Sequence, residues 1–600
     1  MWKVLLKSIR EYKKPSILAP VFVSAEVVIE CLIPFITARL INEIKAGCGA
    51  GVILKYGLAL LVMAGGSLVL GWRAGTASAT AASGFAKNLR KDMFYQIQSF
   101  SFENIDNFLP SSLVTRLTTD VTNVQLAYMM IIRIAIRSPL LLIFAVIMSF
   151  IMGGKLALIF AFAIPFLGAG LYFIIKKVHP IFKNAFRRYD IFNRSIQENI
   201  QGIRVVKSFV REEHEREKFE AAAEDVRADF TRAEKILALN NPIMQFCLYL
   251  NVTIIMTLGA YTIVSTGGID FNVGQLSALM IYSFQTLMSL MMLSMVFVMI
   301  IISDESGRRI VEVLSEKSAL KNPENPVYDV ADGSVDFSGV SFKYSEKAER
   351  MALENIDLHI KSGETIGILG GTGSSKTSLI QLIPRLYDAT EGVVRVGGRD
   401  VREYDIEALR SSVSVVPQNN ILFSGSIKDN LRWGNPQATD GELREACELA
   451  QADGFISGFP DGYDTRIEQG GVNVSGGQKQ RICIARALLK KPRVLILDDS
   501  TSAVDTNTDA KIRKAFREYI PDTTKIIIAQ RVASVRDADR IILMDKGRIT
   551  DVGSHDELLE KSEIYREVYE SQNDKAGKTT PPPAGAPLQG GELYSESEMS

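Results

Sequence analysis

Histidine is nearly missing from this sequence: four residues in 600, His179, His214, His359 and His555. They are too scattered to build a zinc site. Cysteine is almost as scarce. Cys31, Cys48, Cys247, Cys447 and Cys483 show no metal-ligand spacing, so they read as reduced fillers, not as a disulfide framework. Net charge is absent too, with 68 basic residues set against 68 acidic ones. That balance argues against nucleic acid as a partner recruited by charge. The length excludes one compact domain.

Apolar residues are plentiful, and nearly all the excess lies before residue 303. Six runs, near 16–40, 56–72, 134–152, 156–175, 243–263 and 276–302, are of the length a helix needs to cross a bilayer, about 20 residues. The first is too long for a signal peptide and no small-residue cleavage site follows it. Basic residues gather before the first run and after the second, fourth and sixth, among them Lys13, Lys14, Arg90, Lys91, Lys176, Lys177, Arg308 and Arg309. The opposite connections offer little beyond Lys45 and Lys155. The positive-inside rule therefore puts both termini in the cytoplasm of a multi-pass plasma-membrane protein in contact with lipid. Residues 1–14 place Trp2, Leu5, Leu6, Ile9 and Tyr12 mostly on one face, which predicts an amphipathic helix in the membrane interface. Two long connections are charged and helical in pattern, so the expected membrane domain, 15–310, has six transmembrane helices extended into the cytoplasm. Ionisable residues inside it are functional candidates. Glu26 and Glu30 share a face of the first span and are candidate substrate contacts for cationic cargo; Arg73, Arg133 and Arg137 could instead pair with them or snorkel.

Residues 311–334, with Pro323 and Pro326, predict a linker. From 335 to 570 strands alternate with helices, the mark of an α/β domain. The stretch 571–600 is rich in Pro, Gly and Ser and predicts a disordered tail. Within the α/β domain, "TIGILGGTGSSKTS" reads as strand, glycine-rich turn and helix start. Gly370, Lys376 and Thr377 fit the phosphate-loop spacing, with Gly371, Thr372, Gly373, Ser374 and Ser378 completing the cradle and Ser375 standing where a second glycine is expected. Backbone amides would hold phosphate oxygens, Lys376 would reach the terminal phosphates, and Thr377 would bind magnesium. The strand "VLILDDS" supplies Asp498 for the metal and Asp499 where a water-activating carboxylate is wanted. Ser475, Gly476 and Gly477 open an amphipathic helix. They form a second anion-binding helix end or a plain tight turn.

"VSGGQKQR", with Gln478, resembles the signature of the ATP-binding-cassette family. The resemblance covers residues 1 to about 570 and implies ATP and Mg2+ as cofactors on a P-loop ABC nucleotide-binding domain. It also implies roles: Tyr344 as the adenine-stacking aromatic, Gln418 as the magnesium- and water-sensing glutamine, and Asp505 as part of the loop crossing the dimer. Six spans ahead of one such domain resemble exporter-type half-transporters. There, residues 111–121 and 195–209 would be the coupling segments, and each ATP lies between the phosphate loop of one half and the signature of the other. About 15 residues precede the first span, so an attached peptidase domain is not expected.

The sequence departs from the family pattern at three places. Asp499 stands where glutamate is usual, Gln530 where the switch histidine belongs, and Gln469 where another glutamate is usual. An aspartate falls roughly 1 Å short of the attacking water, a misplacement that costs about 100-fold in rate. A glutamine cannot accept a proton. The signature has only valine for leucine, at Val474. The expectation is a heterodimer: this chain binds ATP but hydrolyses it poorly, while its signature completes a competent site on a second half-transporter that carries the glutamate and histidine. Multidrug or lipid-like cargo, hydrophobic or cationic and amphipathic, would be moved by alternating access. A homodimeric exporter and an ATP-gated regulatory membrane protein are the alternatives.

Overall fold

The computed structural model describes residues 1–108, 110–345, 348–499 and 504–577 and divides the chain into two units. One comprises Met1–Ser99 and Phe108–Glu316, the other Phe100–Asn107 and the chain from Lys317 onward.

In chain order the first helices are α1 (Lys13–Lys45), α2 (Ala50–Gln98), α3 (Phe102–Asn107), α4 (Val121–Gly153), α5 (Leu158–Gln201), α6 (Glu212–Leu237), α7 (Asn240–Ser265) and α8 (Val273–Ser315). Among the described residues, five helical stretches, those carrying α1, α2, α4, α7 and α8, are long and apolar enough to cross a membrane. The run near 156–175 falls on α5, some of whose side chains lie outside the described residues. With 49 residues at about 1.5 Å each, α2 is roughly 74 Å long, more than twice the ~30 Å hydrocarbon layer. The apolar runs are therefore the middles of longer rods. Close packing of α1 on α8 rests on Gly274, where an added Cβ would lie 2.1 Å from the Ala38 carbonyl oxygen. Asn42 Oδ1 accepts from the Gly274 amide at 3.0 Å, and the buried Tyr282 hydroxyl donates to the Cys31 carbonyl at 2.7 Å. At its start α8 is fixed by a reciprocal capping box between Asn272 and Gln275.

The first residues differ from expectation. They form two short turns, Trp2–Leu5 and Leu6–Tyr12, broken where Arg10 takes φ 41°. They lie against α2 and α8: Ser8 Oγ and Arg10 Nη2 each donate to Asp92 at 2.7 Å, the Tyr12 ring fills the space beside Gly84, and the fully buried Leu5 lies beside Gly307. Protein covers part of the apolar face, at Leu5, while Leu6 stays exposed.

In the second unit a six-stranded sheet carries β3 (Thr365–Leu369), β6 (Val413–Val416), β7 (Val494–Asp498), β8 (Thr524–Ala529), β9 (Arg540–Asp545) and β10 (Arg548–Gly553). Their order is β10-β9-β3-β8-β7-β6, parallel except for the β9–β10 hairpin. Uninterrupted apolar stretches such as "IIIA" and "VLIL" suit strands covered on both faces. A four-stranded antiparallel sheet, order β2-β1-β4-β5, contains β1 (Val335–Phe342), β2 (Leu353–Ile360), β4 (Glu391–Val396) and β5 (Arg399–Asp400). The predicted linker is shorter than 311–334. Helix α8 runs to Ser315, and Val330 is already buried against β1 and β2. The predicted tail also starts later, because a final helix spans Glu563–Gly577; the rest of 571–600 lies outside the described residues.

The coupling element assigned to residues 111–121 belongs to the membrane unit. It is α3 that joins the α/β unit: Asp106 accepts from the Tyr387 hydroxyl at 2.6 Å, Phe102 packs on the Tyr387 ring at 6.1 Å, and Asn104 bonds the backbone of Lys317 and Ala319. Both segments have similar polar, helical sequences, so spacing alone does not separate them.

Candidate nucleotide site

Strand β3 delivers the chain to Gly370 at the carboxyl end of the parallel sheet, where open α/β sheets bind ligands. An added Cβ on Gly370 would lie 2.4 Å from the Met544 carbonyl and 2.6 Å from Ser374 Oγ, so only glycine fits. Gly371 and Gly373 face open space, and Gly373 has φ 83°. Thr372 is exposed at the tip, and Ser374 is buried beneath it. Ser375 takes φ 70°, ψ 23° directly before helix α9 (Lys376–Leu382). The loop thus demands a left-handed residue there, which explains the glycine of the pattern and shows the serine adopting the same turn at a cost. Lys376 Nζ donates to the carbonyls of Gly370 and Gly371 at 2.8 Å and to Ser374 Oγ at 3.2 Å. Burial pulls its pKa down, against the opposing pull of Asp498 and Asp499.

Asp498 ends β7, 5% exposed, and accepts from Thr377 Oγ1 at 3.0 Å. Burial raises its carboxyl above the usual range, with the Thr377 bond opposing and Asp499 adding to the rise. At Asp499 the backbone turns to φ 47° and its amide donates to the Ile528 carbonyl at 3.0 Å. Its Oδ2 accepts from Gln418 Nε2 at 3.4 Å and from Gln530 Nε2 at 3.3 Å. Burial raises Asp499 as well, against the Gln418 bond and the charges of Lys376 and Arg531. A cavity of about 140 Å³ opens beside it, lined by Asp499, Val504, Thr506, Gln530, Arg531 and Ser534. The structure therefore brings together four sequence candidates: Asp498, Asp499, Gln418 and Gln530.

Tyr344 joins them indirectly. Its hydroxyl bonds Ser378 Oγ at 2.8 Å and Gln381 Oε1 at 3.1 Å on α9, and its ring meets Tyr387 edge-on at 5.2 Å. The signature stands on α10 (Gly476–Leu488), where Ser475 is the cap: Ser475 N donates to Gln478 Oε1 at 2.9 Å and Gln478 N to Ser475 Oγ at 3.3 Å. Ser475 and Gly476 are exposed, and Gln469 sits in a short turn upstream. Asp505 caps α11 (Thr506–Tyr519) by accepting from the Thr508 amide at 2.9 Å. The residues 500–503 just before it lie outside the described residues. Glycine turns, the lysine, the hydroxyl and the buried carboxylate fit a magnesium-bound polyphosphate. Thr377, Gln418 and Asp498 are the groups that would hold the metal.

In the membrane unit, Glu26 and Glu30 face Arg137 of α4. Its Nη1 meets Glu26 Oε1 at 2.7 Å, and its Nη2 meets Glu30 Oε1 and Oε2 at 2.7 and 2.8 Å. Glu26 Oε2 is sealed without a hydrogen-bond partner among the described residues. Arg133 lies toward Gly75, and Arg73 stacks over Trp72 at 5.4 Å. Sequence reasoning missed Gln572, which bonds the Gln530 segment from the last helix. Nothing in the pattern of an exposed helix marks one glutamine among several.

Fold and site together define a phosphate-loop nucleotide-binding domain fused to membrane-spanning helices. The ABC transporter transmembrane region matches residues 16–302 and the ABC transporter domain residues 353–502. The chain belongs to the ABC transporter family, and that domain carries ATP binding and the family's ATPase machinery. It is 34% identical over 572 residues to the uncharacterised ABC transporter ATP-binding protein YfiB of Bacillus subtilis, covering 95% of this chain and 99% of that one. The multidrug efflux ATP-binding/permease protein Rv0194 of Mycobacterium tuberculosis is 31% identical over 92% of this chain, which spans 46% of that protein. The fold matches a solved bacterial Atm1-family ABC exporter with ATP bound, at TM-score 0.80 and 23% identity, covering 94% of this chain and 98% of that one.

Proposed function

We propose that this chain is one half of an ATP-driven exporter and works beside a different half-transporter. The carrying observation is the surroundings of Asp499. The carboxylate at the water-activating position is short, and the side-chain amides of Gln418 and Gln530 that bond to it lack a proton-accepting group at neutral pH. The phosphate loop, Lys376, Thr377 and Asp498 retain what nucleotide binding needs. Magnesium, when bound, neutralises phosphate charge. This chain's residues then grip the nucleotide and cut it slowly. The Ser475–Gln478 helix start is complete and exposed, free to serve a phosphate presented by a second subunit bearing the glutamate and histidine. Relatedness to Rv0194, about twice this chain's length, supports a working unit built from two such halves. Its name supports multidrug cargo, hydrophobic or cationic and amphipathic, as does the carboxylate pair at Glu26 and Glu30. Both termini and the nucleotide domain are cytoplasmic in this proposal.

The test is ATP turnover by the purified chain alone and after co-assembly with a partner carrying the glutamate and histidine. The expected result is slow hydrolysis alone and fast, cargo-stimulated hydrolysis together. Rapid turnover by the lone chain, abolished by Asp499→Asn, would instead support a homodimeric exporter.

A further inference from the structure

We infer that Gln572 is the positioning residue of the switch segment, holding Gln530 over Asp499 from the last helix of the chain. The inference rests on Gln530 being the switch position proposed above. That helix, α12 (Glu563–Gly577), is moored independently of Gln572. Ser562 Oγ donates to Asp551 Oδ2 at 2.7 Å just before it starts. Tyr565 is fully buried, with its hydroxyl 2.7 Å from His555 Nδ1, and the Tyr569 ring lies 5.3 Å from that imidazole. Tyr565, Val568, Tyr569 and Gln572 follow the three-and-four spacing of one helical face. Val568 and Tyr569 pack on the core and aim the next turn at residues 530–532.

There the planar amide of Gln572 bonds twice. Its Oε1 accepts from the Val532 amide at 2.8 Å, and its Nε2 donates to the Gln530 carbonyl at 2.9 Å. Val532 opens a short helix, Val532–Val535, that has no side-chain cap from Arg531. Its N–H is one of the donors that a helix start leaves unpaired, and Gln572 supplies the acceptor. The same amide fixes the backbone from which the Gln530 side chain reaches Asp499 Oδ2 at 3.3 Å. A rotation of the 530–532 backbone would move that side chain away from the reacting phosphate, and Gln572 opposes the rotation at both ends.

The experiment uses the full chain and measures single-turnover ATP hydrolysis, affinity for a fluorescent ATP analogue and melting temperature. The variants are Gln572→Ala, Gln530→Ala and the double. The expected result is a fall of about ten-fold in rate for Gln572→Ala, the scale of a sub-ångström misplacement, with analogue affinity unchanged. In the Gln530→Ala background, Gln572→Ala should add no further loss, as for residues acting through one another. Gln572→Glu, which keeps the acceptor for Val532, should recover part of the rate and carries the test if the alanine variant misfolds. Additive losses in the double variant, or equal losses of rate and affinity, would overturn the inference and leave Gln572 a docking contact. Fast single turnover by the parent chain would overturn the slow-site reading alone, because the double-variant comparison still holds at the higher rate.

Discussion

At Asp499 a buried strand ends and the backbone turns left-handed, φ 47°, a region that aspartate and asparagine tolerate better than most side chains. The shorter acid therefore suits its turn, and in the proposed function it stops short of the attacking water. Replacing Asp499 by Glu and Gln530 by His together should raise hydrolysis by the lone chain at least about 100-fold, read as steady-state phosphate release. Asp498 makes a pH prediction. Burial raises its carboxyl, so the folded state holds that proton more tightly than the unfolded chain does. Stability of the nucleotide-free protein falls as pH climbs from the unfolded carboxyl's range through the raised one, and the loss persists at neutral pH. Asp498→Asn should therefore melt higher than the parent at neutral pH, with the difference closing in acid, and should lose stabilisation by Mg2+-ATP. Ser375 holds φ 70° where glycine is at ease. Ser375→Gly should raise stability by about 1 kcal/mol, read by thermal melting, with tighter ATP binding. The loop, both aspartates and the three departures were legible in the sequence because motifs are local. Gln572 was not, because its partners lie some 40 residues away.

Among elements, α1 and α4 are tied by the Glu26–Arg137–Glu30 cluster. Removing one partner from a buried ionic group costs about 3–5 kcal/mol, because the remaining charges are stranded. Arg137→Met should destabilise the membrane unit on that scale in detergent melting curves, and adding Glu26→Gln and Glu30→Gln should restore most of it. Cargo recognition by these carboxylates predicts a separate signature: Glu30→Gln, which also removes an Arg137 partner and so lowers the melting temperature, should lose cationic-dye transport even in preparations held well below that melting temperature. The apolar runs were legible because bilayer length is a coarse filter. The first residues and the coupling element were less so. Periodicity reports that a face is apolar, not what covers it: Tyr12 found α2 beside Gly84, and Leu5 found α8 beside Gly307.

For the whole molecule, orientation is the expectation that the cysteines can test. Cys31, Cys247, Cys447 and Cys483 are buried, whereas Cys48, in the connection between α1 and α2, is partly exposed. In intact cells a membrane-impermeant maleimide should label the protein at Cys48, and Cys48→Ser should abolish the signal. Labelling that appears only after cells are opened would place the termini outside. One assembly feature has reach beyond chemistry. The rings of Tyr344, Tyr387 and Phe102 touch in series, at 5.2 and 6.1 Å, and Phe102 opens the helix that interrupts the chain between α2 and α4. A purine resting on the first ring would press, through the second, on that helix. If the site empties as slowly as proposed above, that pressure would outlast many cycles of a faster neighbour.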